Sequence, residues 1–521
     1  MSAHFNALIV VLGITLVVFR LARPLVVTFM AVEDFVRRRN IWLCLVVAAF
    51  LISNYWVYVL VATLLLTYGA KRDTNPAALY LFLLLAIPPF PSEIPTFGLI
   101  NQVFTLDHLR LLSLVILLQM AVRLLGSAST PAATWQRGIP SSQKLLLTDV
   151  LILSYVGLQL ILVAPNVSVT DSVRRVLLFG IDILLPYFVL SRACRSREMI
   201  RDAMASFVLA AMVLACIAVF ENLRGWLLFA GLEESWGSLG LTSALRRGES
   251  LRAQVTGGHS IVLGYALAIA FGIWLFLRLR VEAMGWRWLG LLALVAGLAA
   301  TLARGPWLGA MAILLMFQAL GPNAASRSFK TLALIALAGG ILLLTPWGPG
   351  FVDRLPFVGS DEGGSVTYRQ QLAAVSWQLI QQNPLFGTLN FMQYMEELRQ
   401  GEGIIDLVNA YAGIALSFGL VGLGLFVGFF GVIAVNCFRT VRRFAATDLD
   451  FSLMGGNLLA CVGGGLLMIS TVGLYLSVAY LTWAMAGLAV AYSRLARSES
   501  LAEPQARAMF SQQRTPAHGP P

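Results

Sequence analysis

Three observations predict an all-α, polytopic integral membrane protein. Hydrophobic residues make up 58% of the 521 and charged residues only 12%. The mean hydropathy is +0.79, and apolar stretches of membrane-crossing length recur between short basic breaks. The first stretch, near 5–19, is followed by Arg20 and Arg23 without a small-residue cleavage site, so it reads as a membrane segment and not as a removable signal. Cys44, Cys194, Cys216, Cys437 and Cys461 lie in apolar segments or at their basic edges, with neither a disulfide framework nor metal-ligand spacing.

Further stretches follow near 41–69, 78–91, 108–125, 146–165, 176–192, 204–221, 260–277, 288–303, 306–320, 329–345, 411–436, 451–470 and 472–492. The stretch 41–69 fits one long tilted helix or a tight pair broken at Ser53-Asn54. A single span would leave Arg20, Arg23, Arg37, Arg38 and Arg39 outside, which favours the pair. The expectation is about 13 to 15 transmembrane helices.

Short loops rich in Lys and Arg mark the cytoplasmic side, and the clusters Arg192/Arg195/Arg197/Arg201, Arg278/Arg280/Arg287, Arg327/Lys330 and Arg439/Arg442/Arg443 alternate with less basic segments. The chain then divides into N-terminal helices (1–203), core helices (204–345) with an outer segment at 222–258, an outer loop at 346–410, C-terminal helices (411–492) and a cytoplasmic, disordered tail (493–521) rich in Pro, Gln, Arg and Ser. The net charge of +11 lies largely in the topogenic loops and the tail. The outer segment 346–403 instead holds Asp353, Asp361, Glu362, Glu396, Glu397 and Glu402 against Arg354, Arg369 and Arg399. The basicity reads as membrane orientation, and no nucleic-acid partner is expected.

Arg304 stands in "LLALVAGLAATLARGPWLGAMAILLMFQAL", Leu291–Leu320, otherwise uncharged and too long for one span. Its only break is Ala-Arg-Gly-Pro, so the guanidinium sits at the turn between two membrane helices. An ionisable group at membrane depth costs roughly 2.5–3.5 kcal/mol on insertion scales and is a functional candidate; a snorkelling helix-end arginine is the alternative.

The loop 346–410 is too long for a simple connector. Tyr368, Leu372, Val375 and Leu379 repeat at helical spacing until Asn383-Pro384 stops the helix, and Leu389, Met392 and Met395 form a second pattern. Both predict amphipathic helices packed over the membrane domain. Arg369 lies off the stripe, in a position to point toward the Arg304 turn. In "SLRAQVTGGHSIVLGY", Gly257-Gly258 precede a helix beginning near His259, whose N-terminus suits an anion, and Arg252 adds a fixed charge. A capping role for the glycines and a satisfied structural histidine fit this segment equally. Together, Arg252, Arg304 and Arg369 predict a site for phosphate or pyrophosphate at the membrane surface, carried there by a lipid.

"RAQVTGGHSIVLGY", "LARGPWLGA", "YRQQLAAVSWQLIQQNPLFG" and "DLVNAYAGIALSFGLVGLGLF" resemble, in order and spacing, the signatures of the O-antigen ligase and O-antigen or exopolysaccharide polymerase superfamily. The resemblance covers roughly 204–436. It implies a GT-C-like glycosyltransferase of the bacterial inner membrane. Such an enzyme takes a glycan from undecaprenyl pyrophosphate at the periplasmic face, without a metal, nucleotide sugar or other cofactor. Its acceptor is a second lipid-linked glycan for a polymerase or the lipid A core for a ligase, and polysaccharide export or chain-length proteins are the further partners. The resemblance assigns pyrophosphate binding to Arg252, Arg304 and Arg369, and the Asn-to-Gly signature to Asn409 and Gly419, with Gly422 beyond. Where the family usually has a histidine the chain has Val408, which cannot accept a proton. Asp406 and His259 are the local substitutes for a catalytic base, with helix capping or arginine pairing the alternative for Asp406. A transporter or flippase of lipid-linked oligosaccharide would predict internal repeats and charges near span centres, neither of which is evident. A non-catalytic assembly subunit would tolerate loss of the arginines.

Overall fold

The computed structural model describes residues 2–95, 102–126, 145–237, 243–345, 365–399, 405 and 407–512. Parts of the expected layout lie outside them: residues 238–242 of the outer segment, residues 346–364, 400–404 and Asp406 of the outer loop, and residues 513–521 of the tail.

The chain is a helical membrane bundle. Its elements are α1 (Ser2–Leu21), α2 (Arg23–Phe29), α3 (Val32–Leu51), α4 (Tyr55–Arg72), α5 (Pro76–Leu83), α6 (His108–Gly126), α7 (Leu147–Asn166), α8 (Val169–Ala193), α9 (Arg197–Arg224) and α10 (Ala230–Trp236). Then come α11 (Ser260–Leu277), α12 (Met284–Ala300), α13 (Arg304–Leu320), α14 (Ala324–Leu343), α15 (Ser365–Gln382), α16 (Ala410–Phe444), α17 (Leu449–Met468) and α18 (Leu476–Gln512). The described strands form two short antiparallel ribbons, β1 (Ser92–Pro95) with β2 (Gln102–Leu106) and β3 (Arg246–Arg247) with β4 (Ser250–Leu251). Among the described residues nine helices are long and apolar enough to cross a membrane, and α12 and α13 are shorter apolar helices.

The stretch 41–69 is a pair: α3 ends at Leu51, and the Asn54 side chain caps α4 by accepting from the N–H groups of Trp56 and Val57 at 2.9 and 3.2 Å. The stretch 78–91 departs from expectation, because its helix stops at Leu83 and the chain runs on irregularly to Pro91. Pro88, Pro89 and Pro91 supply no N–H to a helical ladder, and the irregular backbone is enclosed by other helices. The tail also differs. α18 continues past Ser493 to Gln512, with Arg494 bonded to Asp149 at 3.0 Å and Glu499 to Arg197 at 2.7 Å, so these charges are docked on the bundle.

α11 is buried along its length and packs against α9, α12, α13, α17 and α18. A Cβ on Gly309 of α13 would overlap Met468 of α17, and one on Gly464 would overlap Ile313, so small residues set this close crossing. At the end of the bundle that carries the basic clusters, ion pairs tie neighbouring helices together: Arg192 with Asp149, Arg197 with Asp448, and Arg201 and Arg280 with Asp450.

One charged cluster is fully enclosed. Arg38, 0% exposed, holds Asp73 through Nε and Nη2 at 2.8 and 2.7 Å and Asp202 through Nη1 and Nη2 at 2.6 and 3.0 Å, and donates to Ser206 Oγ at 2.8 Å. These bonds bind α3 and the α4–α5 connection to α9. Removing the guanidinium strands two buried carboxylates, an error that costs about 3–5 kcal/mol. Arg38→Met is expected to lower the unfolding midpoint of the detergent-solubilised protein by that amount of stability, and the double change Arg38→Met/Asp73→Leu to recover part of it. Unchanged unfolding of the single variant would remove this cluster from the account of the fold.

Candidate functional site

At the opposite end of the bundle four connections meet. The first is the segment between α9 and α11. Glu221, near the end of α9 and 0% exposed, accepts from the N–H groups of Leu228, Gln254 and Val255 at 3.0, 3.1 and 3.0 Å, which pulls both ends of this segment onto the helix. The β3–β4 ribbon then lies against the α12–α13 turn: Ala253 N–H donates to Ala300 O at 3.1 Å, Arg252 Nε to Thr301 O at 3.4 Å, and Arg247 Nη1 to Leu302 O at 2.9 Å. Arg252 is thereby brought beside the turn that carries Arg304, the half-buried first residue of α13.

Burial, then repulsion from Arg247 and from Arg369, pushes the Arg252 guanidinium down to about 10, so it remains a cation at neutral pH. This repulsion marks how near Arg369 of α15 lies. The apolar stripe of α15 packs as expected, with Leu372 buried against Phe391, Met395, Ile405 and Leu416 and with Tyr368, Val375 and Leu379 beside them. The helix ends at Gln382, before Asn383-Pro384. The second pattern forms a 3-10 segment, Phe391–Leu398, which turns Phe391 and Met395 inward and leaves Met392 exposed. The segment is broken at Met395 (φ −117°, ψ 16°), so no single helical repeat runs through it and the spacing of Leu389, Met392 and Met395 does not select its buried face.

Gly257 and Gly258 form the approach to α11. Gly258 has φ +71°, which a side chain strains, and a Cβ on Gly257 would sit 2.9 Å from the Leu263 nitrogen. His259 is the N-cap of α11, its Nδ1 accepting from Ile261 N–H at 3.2 Å. Burial and then the charge of Arg252 push the imidazole down to about 4, so it is neutral above that pH. With Nδ1 occupied as an acceptor, the neutral ring carries its proton on Nε2.

Asn409 caps α16, its Oδ1 accepting from Tyr411 and Ala412 N–H at 2.9 and 3.2 Å. Gly419 interrupts that helix with φ +67° and ψ −171°. Here the turn after α15 enters the ladder: Leu420 N–H donates to Pro384 O at 2.8 Å, Val421 N–H to Leu385 O at 3.2 Å, and Thr388 N–H to Leu416 O at 2.7 Å. A Cβ on Gly419 would overlap the Leu385 carbonyl. Gly422 packs one turn further along, close to Phe418.

A cavity of about 270 Å3 opens among these parts, with Arg369, Ser376, Val408, Asn409, Ser470 and Thr471 in its lining. The last two belong to the α17–α18 connection, which the sequence shows only as the junction of the apolar stretches 451–470 and 472–492. This connection touches every other part. Ala410 N–H donates to Ile469 O at 2.9 Å, Thr471 packs on Gly305 beside Arg304, and Leu476 lies 3.5 Å from where a Cβ on Gly258 would stand. Tyr475 also sits within the field of Arg252. Arg252, Arg304, Arg369, His259 and Asn409 are thus gathered at one end of the bundle, with Gly257, Gly258 and Gly419 shaping their supports. Asp406 lies outside the described residues, between Ile405 and Leu407, which are described.

Gly419→Ala is expected to expel the 383–388 turn from α16. The variant should become cleavable by added protease in this turn while its membrane helices stay protected; wild-type resistance would show that the ladder does not hold α15.

Residues 289–427 match the family model described as O-antigen ligase. The match takes in Arg304, Arg369, Asn409, Gly419 and Gly422 and supports the O-antigen ligase and polymerase superfamily read from the motifs, while Arg252 and His259 precede it. No curated protein matches the chain.

Proposed function

From the O-antigen ligase domain at 289–427 we propose that this membrane protein is a metal-independent glycosyltransferase. It moves an undecaprenyl-pyrophosphate-linked glycan onto an acceptor hydroxyl at the periplasmic face of the bacterial inner membrane, with its C-terminus cytoplasmic. The acceptor is a second lipid-linked repeat, which makes the protein an exopolysaccharide or O-antigen polymerase; transfer to lipid A core would make it a ligase. The observation that carries this reading is the convergence of Arg252, Arg369 and the Arg304 turn beside the Asn409 cavity.

In the reaction the acceptor oxygen bonds to the anomeric carbon as the bond from that carbon to the pyrophosphate oxygen breaks. Negative charge grows on the departing pyrophosphate, and preorganised guanidiniums stabilise it as it forms. Planar forks hold phosphate oxygens bidentately, which a lysine point charge does not reproduce. The acceptor proton passes to Asp406, the carboxylate three residues before Asn409. His259 has another part. Its lone pair is engaged at Nδ1, so its Nε2–H is a hydrogen-bond donor to the donor's phosphate oxygens.

Arg304→Ala and Arg369→Ala are expected to lower transfer by about 10²–10³-fold at equal protein level, with lysine replacements recovering little. Cysteines placed beside residues 252, 304 and 369 should react with an impermeant thiol reagent added from outside. Transfer at the wild-type rate by both alanine variants would sink the pyrophosphate site, and labelling only from the cytoplasmic side would overturn the orientation.

Asp406→Asn keeps the shape but removes the proton acceptor, and transfer should fall by about 10²–10⁴-fold with donor binding retained. His259→Asn preserves both a cap acceptor and a donor and should keep more activity than His259→Leu. Since the His259 pKa is depressed to about 4, the ring stays neutral above that value, and rates between pH 5 and 8 should show no step that disappears in His259→Asn. A step lost in that variant, with Asp406→Asn fully active, would move the base to His259.

A further inference from the structure

A second site stands far along the chain from these arginines, at the basic end of α6, α7 and α8. An apolar cleft of about 540 Å3 runs between these helices, lined by residues such as Leu114, Leu118, Ile152, Val176, Gly180 and Leu184. It follows α6 from Leu114 to Leu125, a length of about 16 Å at the helical rise. Two of its walls are π-helical turns, Ser113–Leu117 in α6 and Gly180–Leu184 in α8. Such turns are frequent at functional sites. A Cβ on Gly180 would meet no atom within 4 Å, so the cleft is open at that glycine.

Arg192 lines this cleft and also a smaller polar cavity of about 190 Å3, which adds Ser191, Arg195, Arg494 and Ser498 to its lining. Arg192 and Arg494 are each 7% exposed, and both hold the same carboxylate, Asp149, at 2.9 and 3.0 Å. Arg195 is exposed and its Nε donates to Arg192 O at 3.4 Å. Two guanidiniums therefore share one carboxylate and a third lines the same polar cavity, an excess of positive charge at the mouth of an apolar channel.

We propose that this paired cavity binds an anionic phospholipid, the phosphate of its headgroup on Arg192, Arg195 and Arg494 and an acyl chain in the α6–α7–α8 cleft. Charge and shape each select one half of that amphiphile. A zwitterionic lipid brings no net charge to offset the excess, and a free phosphate leaves the channel unused. Basic pockets between membrane helices at the cytoplasmic face recognise lipid headgroups by this chemistry.

The test uses the purified full chain in neutral detergent, with native mass spectrometry reading retention of phosphatidylglycerol, phosphatidylethanolamine or inorganic phosphate. Phosphatidylglycerol should be retained preferentially. Arg195→Gln, which leaves the pairs of Arg192 and Arg494 with Asp149 in place, should weaken retention about fivefold, as expected for one basic residue near a lipid headgroup. Gly180→Phe, filling the open cleft, should abolish retention with an unchanged melting temperature. Equal retention of phosphatidylethanolamine, or wild-type retention of phosphatidylglycerol by both variants, would overturn the site. Inorganic phosphate binding as tightly as the lipid would reassign the polar cavity to a free anion and overturn the lipid reading.

Discussion

The geometry of the mouth depends on a buried carboxylate that, among the described residues, is held by backbone N–H groups and by no ion pair. Glu221 gathers three backbone N–H groups from the two ends of the α9–α11 segment. A connection of this length near the membrane surface has many polar backbone groups to satisfy, and those turned inward find no water. By accepting from adjacent residues, Gln254 and Val255, the carboxylate holds the chain in a tight inward bend. Arg252 lies immediately before this bend and Gly257-Gly258 immediately after it, so one interaction sets the position of a cation and of a helix start.

That bend is strained. Val255 has φ +46°, a left-handed conformation that is a genuine outlier for a β-branched residue, and Leu302 and Leu476 share it at +49°. The three residues belong to three different connections, and each adjoins the site: Val255 near Gly257, Leu302 near Arg304, and Leu476 after Tyr475. Strain of this kind persists only where surrounding contacts over-determine the backbone. Here the contacts are mutual, since the ribbon bonds to the α12–α13 turn and Thr471 packs on Gly305. The connections hold each other in conformations none would adopt alone.

Much of this architecture was legible as pattern. The uncharged run around Arg304 exceeded one span and broke where Gly and Pro allowed it, and Ser53-Asn54 marked a break because asparagine caps helices. The stripe Tyr368–Leu379 revealed the buried face of α15, since a period near 3.6 has one physical meaning. Other features had no local signature. Arg37, Arg38 and Arg39 look alike in sequence, yet Arg38 alone is turned onto Asp73 and Asp202, because its partners come from remote elements. The α17–α18 connection stayed invisible as part of the site because its role is contact with three segments distant in sequence. Phe391 and Met395 turned inward because they pack on Leu372, Ile405 and Leu416 across a break in the helical backbone at Met395, which residue spacing does not register. Helix α18 ran beyond Ser493 because Asp149 and Arg197 meet its charges, which composition alone does not register.

The interruption at Gly419 has a mechanical consequence. Two N–H groups of α16 donate to carbonyls of the turn that follows α15, and one carbonyl of α16 accepts from an N–H of that turn. Lifting α15 as a flap would strand these groups in a helix at membrane depth, where water cannot replace the lost bonds. The surface helix and the spanning helix are therefore one rigid lever, and Arg369 travels only when α16 does. On the proposed reading, exchange of a lipid-borne donor for its product is accommodated from the opposite bank, where the Arg252 ribbon meets the α12–α13 turn through three hydrogen bonds.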